Sequence, residues 1–179
     1  SLCIPCECSY SMQLKSISQA LDIRSVFLQE FEKAVRLSDG NDDEQLKKAL
    51  NFVIVGAGPT GVEVAGALAE IKNKILRKEY REVDPNMMQI TLIDAGPREL
   101  AGMSDKSSRN ATGYLEKMGV KCITNMPVNR YDGHNLVLND GSSIETETVI
   151  WAAGVKGSAV KGLKPEAYLP NGRIKVDAY

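Results

Sequence analysis

The stretch NFVIVGAGPTGVEVAG, residues 51–66, decides the fold. Its opening run, Asn51–Val55, is apolar and β-branched, too short for a helix and suited to a strand buried on both faces. Three glycines follow at once with the spacing G-x-G-x-x-G, and helical periodicity then runs from Val62 to about Lys78. A strand directly before this motif and a helix directly after it are the context in which it predicts a dinucleotide-binding loop.

Each glycine of the motif has its own physical reason. Gly56 allows the tight turn from strand to helix, and Gly61 lets the helix pack closely against the strand. Gly58 has no Cβ, so a pyrophosphate can approach the backbone there. The helix then begins with unpaired N–H groups and the positive end of its dipole directed at the phosphates. A tight turn in some other doubly wound protein remains the open alternative.

Further strands and helices surround this unit. Apolar runs predict two more strands, Gln89–Ile93 and Val120–Thr124. Capping residues followed by apolar stripes predict three more helices: one of about five turns that starts at a Ser16-Ile-Ser-Gln19 capping box and ends at Asp39-Gly40-Asn41, a short one over Asp42–Leu50, and one over Ser104–Met118. Strands that alternate with helices predict an α/β fold with a Rossmann-like parallel sheet flanked by helices.

The downstream sequence changes character and predicts antiparallel pairing. Asn135–Leu138 and Ser143–Thr146 flank Asn139-Asp140-Gly141, a strong hairpin signal because Asp-Gly tolerates the positive φ that such turns need. The second arm runs on into Thr148–Trp151, followed by Ala152-Ala153-Gly154. We therefore expect an antiparallel β-meander in place of one helical crossover. A final strand is predicted at Arg173–Val176.

Composition limits the classes of function and partner. The formal net charge is −1, so no cationic field favours nucleic acid or an anionic membrane as a partner. No run approaches the roughly 20 apolar residues of a membrane helix, and no secretory signal is visible, which favours a cytoplasmic location. Residues 1–15 show no periodicity and are expected to be a loose lead-in, followed by a single domain over residues 16–179.

The cysteines and the single histidine give no sign of a metal site. Cys3-Ile-Pro-Cys6 formally matches a redox or zinc pattern, but no Cys or His follows at a spacing that completes a site. His134 stands beside Asp132-Gly133 in a predicted turn. We therefore predict no metal ligands.

Two acidic residues are candidates for nucleotide contacts. Asp94 ends the second predicted strand, where a carboxylate accepts hydrogen bonds from ribose hydroxyls and repels a 2′-phosphate, which favours NADH over NADPH. It lies 33 residues beyond Gly61, against about 20 in the usual motif, so a plain strand-end role stays open. Glu63 is placed in the first helical turn, where dipole stabilisation and a hydrogen bond to a ligand amide are equally open. Arg98 either approaches the adenosine or is solvated.

The chain resembles the two-dinucleotide flavoprotein oxidoreductases, and within them the type II NADH dehydrogenases. The segment GPTGVEVAGALAE, residues 58–70, and the tetrapeptide WAAG, residues 151–154, are specific as a set. The matching stretches together span most of the chain: Met12–Glu32, Asn51–Ile71, Leu92–Ser108, Leu115–Val120 and Val149–Gly157.

The resemblance implies roles for particular residues. Five of them correspond to the pyrophosphate loop: Gly56, Gly58, Pro59, Thr60 and Gly61. Asp94 stands where the family usually has Glu, and Glu63 corresponds to a glutamate near the nicotinamide and the quinone, a catalytic position. Ala153 and Gly154 correspond to small residues close to the nicotinamide.

The resemblance also implies that the chain is part of a longer protein. The family binds FAD through a second glycine motif and attaches to the membrane through C-terminal amphipathic helices, and neither is present in this sequence. We therefore expect an NADH-binding domain that meets the FAD domain of the same parent chain, with a quinone as acceptor. The parent is expected on the cytoplasmic face of the membrane, and a homodimer is possible. Without FAD, this chain is expected to bind NADH and not to oxidise it.

Two alternatives stay open. A ferredoxin- or nitrite-reductase-like flavoprotein would use the same nucleotide domain, and a non-catalytic module could sense NAD instead. A thioredoxin-reductase-like enzyme is not favoured, because its C-x-x-C lies shortly before the glycine strand, whereas Cys6 lies 47 residues before Val53.

Overall fold

The computed structural model describes residues 10–14, 16–38, 42–76, 78, 83–154, 160–169 and 173–176. Within them the strands are β1 (Met12–Gln13), β2 (Asn51–Val55), β3 (Gln89–Ile93), β4 (Val120–Ile123), β5 (Val128–Tyr131), β6 (Asn135–Leu138), β7 (Ser143–Glu145) and β8 (Thr148–Trp151). The α-helices are α1 (Ile17–Ser38), α2 (Asp43–Ala49), α3 (Pro59–Ile71) and α4 (Asp105–Lys117). A π-helical segment, Lys72–Leu76, continues α3, and 3-10 turns cover Pro85–Met87 and Pro165–Ala167.

These strands form two sheets. The larger is parallel throughout, with the order β1-β8-β2-β3-β4, and the smaller is antiparallel, with the order β5-β6-β7. The chain leaves the larger sheet after β4, builds the smaller sheet, and returns through β8 to lie beside β2. The predicted Rossmann-like sheet with a meander in place of one crossover is therefore confirmed.

The central strand β2 is buried on both faces, as its apolar sequence predicts. Phe52 and Ile54 join the hydrophobic core on the side of the helices, and Val53 and Val55 join the core against the meander. Full burial of each such side chain contributes roughly 1.5–3 kcal/mol. Hydrogen bonds to β3 on one side and to β8 on the other complete the strand.

Side-chain caps start the helices where the sequence predicts them. The Gln19 N–H donates to Ser16 Oγ at 3.3 Å, and the Gln45 N–H donates to Asp42 Oδ1 at 3.1 Å. In α4 the Ser104 hydroxyl oxygen accepts from the backbone N–H three residues on, at 3.2 Å. Each bond satisfies a donor that the first helical turn leaves without an internal partner. The predicted α1, α2 and α4 are confirmed, whereas Asp39-Gly40-Asn41 lies outside the described residues.

The junction between the two sheets corrects one expectation. The hairpin arm does not run on into β8, because the chain turns at Thr146 between the sheets. The Thr146 side chain is fully buried, donates its hydroxyl to the carbonyl of Asn51, and accepts the Thr148 N–H at 3.1 Å. Tyr131 also stabilises this junction, since its hydroxyl donates to the carbonyl oxygens of Gly133 and Thr146.

Three other boundaries differ from expectation. Met12–Gln13 lies in the segment predicted to be a loose lead-in, yet it pairs in parallel with β8. The prediction of a loose segment is therefore wrong at those two residues. Helix α3 begins at Pro59 rather than at Val62, because the fixed φ of proline suits the first helical position. Around Arg173–Val176 the described residues form only an isolated bridge between Tyr168 and Ile174 in place of a strand.

Helix α3 packs against the end of β2 through bare backbone. A Cβ built on Gly61 would lie 1.8 Å from the carbonyl oxygen of Gly56, far inside contact distance. By contrast, a Cβ on Gly66 of the same helix would meet only Leu115 Cδ2, at 3.9 Å. Packing therefore requires a glycine at position 61, as the sequence predicts, and does not require one at position 66.

We predict that Gly61→Ala lowers the free energy of unfolding by about 3 kcal/mol or prevents folding, because helix and strand must separate to admit the methyl group. The matched change Gly66→Ala should be neutral or stabilise the chain by up to about 1 kcal/mol. Urea titrations followed by circular dichroism measure both. Equal stability of the two variants would contradict the packing described for Gly61.

Candidate functional site

The candidate site lies at the carboxyl ends of the parallel strands. β2 ends there in the glycine loop, defined here as Gly56–Gly61, β3 ends at Asp94, and β8 ends before Ala152. The order of connections reverses beside β2, because β3 lies on one side of it and β8 on the other. Open α/β sheets bind ligands in the crevice at such a point.

Gly56 is required by its conformation and by its neighbours. Its φ is +104°, in the region that favours glycine, and a Cβ there would lie 2.6 Å from the backbone nitrogen of Ala153. The Ala152 N–H donates to the Val55 carbonyl at 2.8 Å and brings this segment alongside the loop. Gly154 follows with φ of +80° and is exposed. The predicted site residue Ala153 therefore lies beside the glycine loop, and Gly154 follows it in the chain.

Gly58 differs, because nothing in the fold requires a glycine there. Its backbone is extended, with φ of −72° and ψ of −178°, and a Cβ would have no atom within 4 Å. No side chain caps α3, which begins with Pro59, whereas side chains cap the other three α-helices of the described residues. The unpaired N–H groups and the positive dipole end of α3 therefore face open space, an arrangement that suits an anion.

Asp94 reaches the glycine loop directly. Its Oδ2 accepts the Ala57 N–H at 2.5 Å, and its Oδ1 accepts the Gly96 N–H at 2.6 Å. Each carboxylate oxygen keeps a second lone pair, so the group can still accept from a ligand hydroxyl. The structure therefore brings Asp94 and the glycine motif together, and Asp94 is more than a strand-end residue.

Glu63 is not in the first turn of α3, contrary to the sequence-based prediction. Because the helix begins at Pro59, Glu63 is its fifth residue, and its side chain is exposed. The helix dipole acts mainly within the first turn, so dipole stabilisation is a weaker account of this carboxylate. Pro59 is exposed and Thr60 half-buried at the start of the same helix.

Arg98 is bound to the loop in which it lies. Its Nη2 donates to the carbonyl oxygens of Ala101 and Met103 at 3.1 and 3.0 Å, and its Nη1 lies 3.1 Å from Asp105 Oδ1. The side chain is about a third exposed, so the structure leaves both sequence-based interpretations of Arg98 as predictions. Its hydrogen bonds stabilise the loop that contains it. The acceptors are backbone carbonyls, which every residue has, so the sequence could not indicate these bonds.

A polar cavity of about 560 Å³ opens beside this loop, between α4 and β4. Glu99 is only 4% exposed in its wall and accepts the Thr112 hydroxyl at 2.6 Å. Burial, reinforced by the Glu99 and Glu116 carboxylates, raises the pKa of the Cys122 thiol to about 12. Within the described residues, no cluster of His, Cys, Asp and Glu could hold a metal ion. Nor is any helix of these residues long and apolar enough to cross a membrane.

Comparison with known proteins now identifies the family. The model of the pyridine nucleotide-disulphide oxidoreductases matches residues 15–179. The chain belongs to this family. The resemblance drawn from the sequence is confirmed at the level of this family.

Several proteins similar to this chain have more specific names. The chain is 37% identical to the type II NADH:quinone oxidoreductase Ndh of Mycobacterium tuberculosis over 81% of this chain and 32% of that protein. It is 32% identical to an internal alternative NAD(P)H-ubiquinone oxidoreductase of Solanum tuberosum over 93% of this chain and 32% of the relative.

A solved structure matches as well. The structure of NDH2 from Plasmodium falciparum in complex with NADH aligns with a TM-score of 0.77 and 28% identity, covering 83% of this chain and 31% of that one. The chain thus spans about a third of the length of the relatives that it matches.

We predict that Cys122 is unreactive in the folded chain, since at about pH 8 a thiol with a pKa near 12 is ionised in about one molecule in ten thousand. Iodoacetamide labelling followed by peptide mass mapping should show slow alkylation of Cys122 compared with the urea-unfolded chain. Glu99→Gln removes a neighbouring charge and should speed the reaction. Equal alkylation rates in the folded and unfolded chains would contradict the assignment.

Proposed function

We propose that this chain binds NADH at the glycine loop and serves as the NADH-binding part of a flavin-dependent NADH:quinone oxidoreductase. One observation carries the proposal: the uncapped N-terminus of α3 faces open space above Gly58 at the carboxyl end of the central strand. A pyrophosphate satisfies the unpaired N–H groups of this turn and is attracted by the helix dipole. The names of the relatives support NADH as the nucleotide.

Different residues around the glycine loop would contact different parts of the nucleotide. The N–H groups of Gly58, Thr60 and Gly61 would hold the pyrophosphate, since Pro59 has none. Asp94 would accept from the ribose hydroxyls on the adenosine side with the lone pairs left over by its backbone partners.

The nicotinamide would bind on the opposite side of the glycine loop. Ala153 lies beside Gly56 and Gly154 follows it, and their lack of bulky side chains would let a ring approach closely. Glu63, exposed on α3, would act on the nicotinamide and quinone side as the catalytic carboxylate of the longer protein.

Within the part of the chain that the structure describes, there is no second site of the same kind for FAD. Among the described α-helices, α3 is the one without a side-chain cap, and NADH occupies it in this proposal. FAD binding would therefore fall to the remaining two-thirds of a protein of the relatives' length, as would quinone binding and attachment to the cytoplasmic face of the membrane. The flavin would take the hydride from NADH, while this chain orients the nucleotide. A homodimer stays part of the proposal, to be tested by sedimentation.

The Gly58→Val variant tests the site. We expect NADH binding to be lost, because the isopropyl group fills the space assigned to the pyrophosphate, while the extended backbone at this position accommodates valine. Calorimetric titration with NADH measures the affinity, and thermal unfolding checks that the fold is retained.

Gly113→Val is the control for this variant, because a Cβ at Gly113 likewise has no neighbour within 4 Å, and Gly113 lies in α4, outside the glycine loop and the loop that follows β3. The control should bind NADH as the unmodified chain does. Unchanged NADH affinity in Gly58→Val would remove the loop from the site.

We also predict that the chain prefers NADH to NADPH by at least about tenfold, or about 1.4 kcal/mol. The reason is charge: in this proposal the Asp94 carboxylate meets the ribose and would repel a 2′-phosphate, and the Arg98 guanidinium already donates to the carbonyls of Ala101 and Met103. Parallel calorimetric titrations with the two nucleotides measure the ratio. Equal affinities would show that Asp94 does not meet the ribose.

A further inference from the structure

One residue of the glycine loop is held at both of its backbone polar groups by the loop that follows β3. Ala57 is 3% exposed and lies between Gly56 and Gly58. Its N–H donates to Asp94 Oδ2 at 2.5 Å, and its carbonyl accepts the Leu100 N–H at 2.8 Å. Because the N–H of Ala57 is already paired, a phosphate must be bound by the donors that come after it in the loop.

The carboxylate that holds Ala57 is itself fixed in place. Asp94 Oδ1 accepts the Gly96 N–H at 2.6 Å, and a Cβ on Gly96 would lie 2.9 Å from that oxygen. The Gly96 carbonyl in turn accepts the Asn125 N–H at 2.7 Å. With both oxygens bound to backbone donors, the carboxylate has little freedom to turn.

Backbone strain accompanies this arrangement. Leu100 has a φ of +50°, in the left-handed region that an aliphatic side chain disfavours, whereas Asn125, with φ of +54°, is of a residue type that adopts this region readily. Both donate backbone N–H groups to the network around Ala57 and Gly96. Such strain persists only where surrounding contacts enforce it, and it concentrates at functional sites.

We propose that Asp94 is a positioning residue for the pyrophosphate loop in addition to its contact with the ribose. The inference rests on the proposed function and deepens it. By holding Ala57, Asp94 sets the direction of the N–H groups of Gly58, Thr60 and Gly61. The same carboxylate therefore couples ribose binding to phosphate binding, and its loss weakens phosphate binding even when the ligand has no ribose hydroxyls.

The substitution Asp94→Asn tests this role, because it removes one of the two hydrogen bonds that the carboxylate accepts. The amide nitrogen of asparagine is a donor, so it cannot accept one of the two backbone N–H groups that the carboxylate satisfies. The control is Asp140→Asn, because Asp140 Oδ1 accepts the N–H two residues on, from Ser142 at 2.9 Å, just as Asp94 Oδ1 accepts from Gly96. Asp140 lies in the turn between β6 and β7, and its side chain bonds to Ser142 rather than to Ala57.

The probes are ADP, which has both ribose hydroxyls, and 2′,3′-dideoxy-ADP, which has neither. We expect Asp94→Asn to weaken both, with a loss of about tenfold for the dideoxy compound. Asp140→Asn should leave both affinities unchanged. Unchanged affinity of Asp94→Asn for dideoxy-ADP would overturn the proposal, since Asp94 would then act through the hydroxyls alone. Failure of the unmodified chain to bind dideoxy-ADP would also overturn it, because the loop would not hold phosphate independently.

Hydrogen exchange gives a readout that needs no ligand. The Ala57 amide should be protected in the unmodified chain and in Asp140→Asn, and should exchange faster in Asp94→Asn, while amides of β3 keep their protection. Equal exchange at Ala57 in all three proteins would refute the positioning role. NADH titration of the unmodified chain separates the two claims: no binding refutes the proposed function, whereas binding with an unaffected dideoxy-ADP affinity refutes only this inference.

Discussion

The close approach of three backbone segments at Gly56 is the constraint on which the site depends. The space of a side chain at Gly56 is taken by Ala153, and the space of one at Gly61 is taken by the Gly56 carbonyl. The start of α3 is therefore pressed against the ends of β2 and β8. This packing leaves the uncapped helix N-terminus facing the open space above Gly58. Burial of β2 on both faces supplies the rigid support that the arrangement needs.

Much of the fold could be predicted from local sequence, and the exceptions have physical causes. The bounds of β2 and β3 match prediction because continuous apolar runs signal buried parallel strands. β1 has two residues and owes its order to pairing with β8, so no periodicity could reveal it. β5 was missed because its middle residues are exposed and polar and its pairing shifts between Val128 and Arg130.

The candidate site divides in the same way. The roles of Gly56 and Gly61 could be predicted from the motif, because the spacing of its glycines indicates a tight turn and close packing of helix on strand. The bond between Asp94 and Ala57 joins residues 37 positions apart, and only the parallel pairing of β2 with β3 brings them together. Glu63 was placed one turn too early because the helix was predicted to begin after Pro59 rather than at it.

The central claim is that the unpaired N–H groups at the start of α3 bind the pyrophosphate of NADH. Amide chemical shifts of the isotope-labelled chain, recorded during titration with NADH, test it most directly. The account predicts that the largest changes fall on Gly58, Thr60 and Gly61. Saturable NADH binding that leaves those three amides unchanged, with the largest changes around Glu99 and Cys122 in the neighbouring cavity, would contradict it.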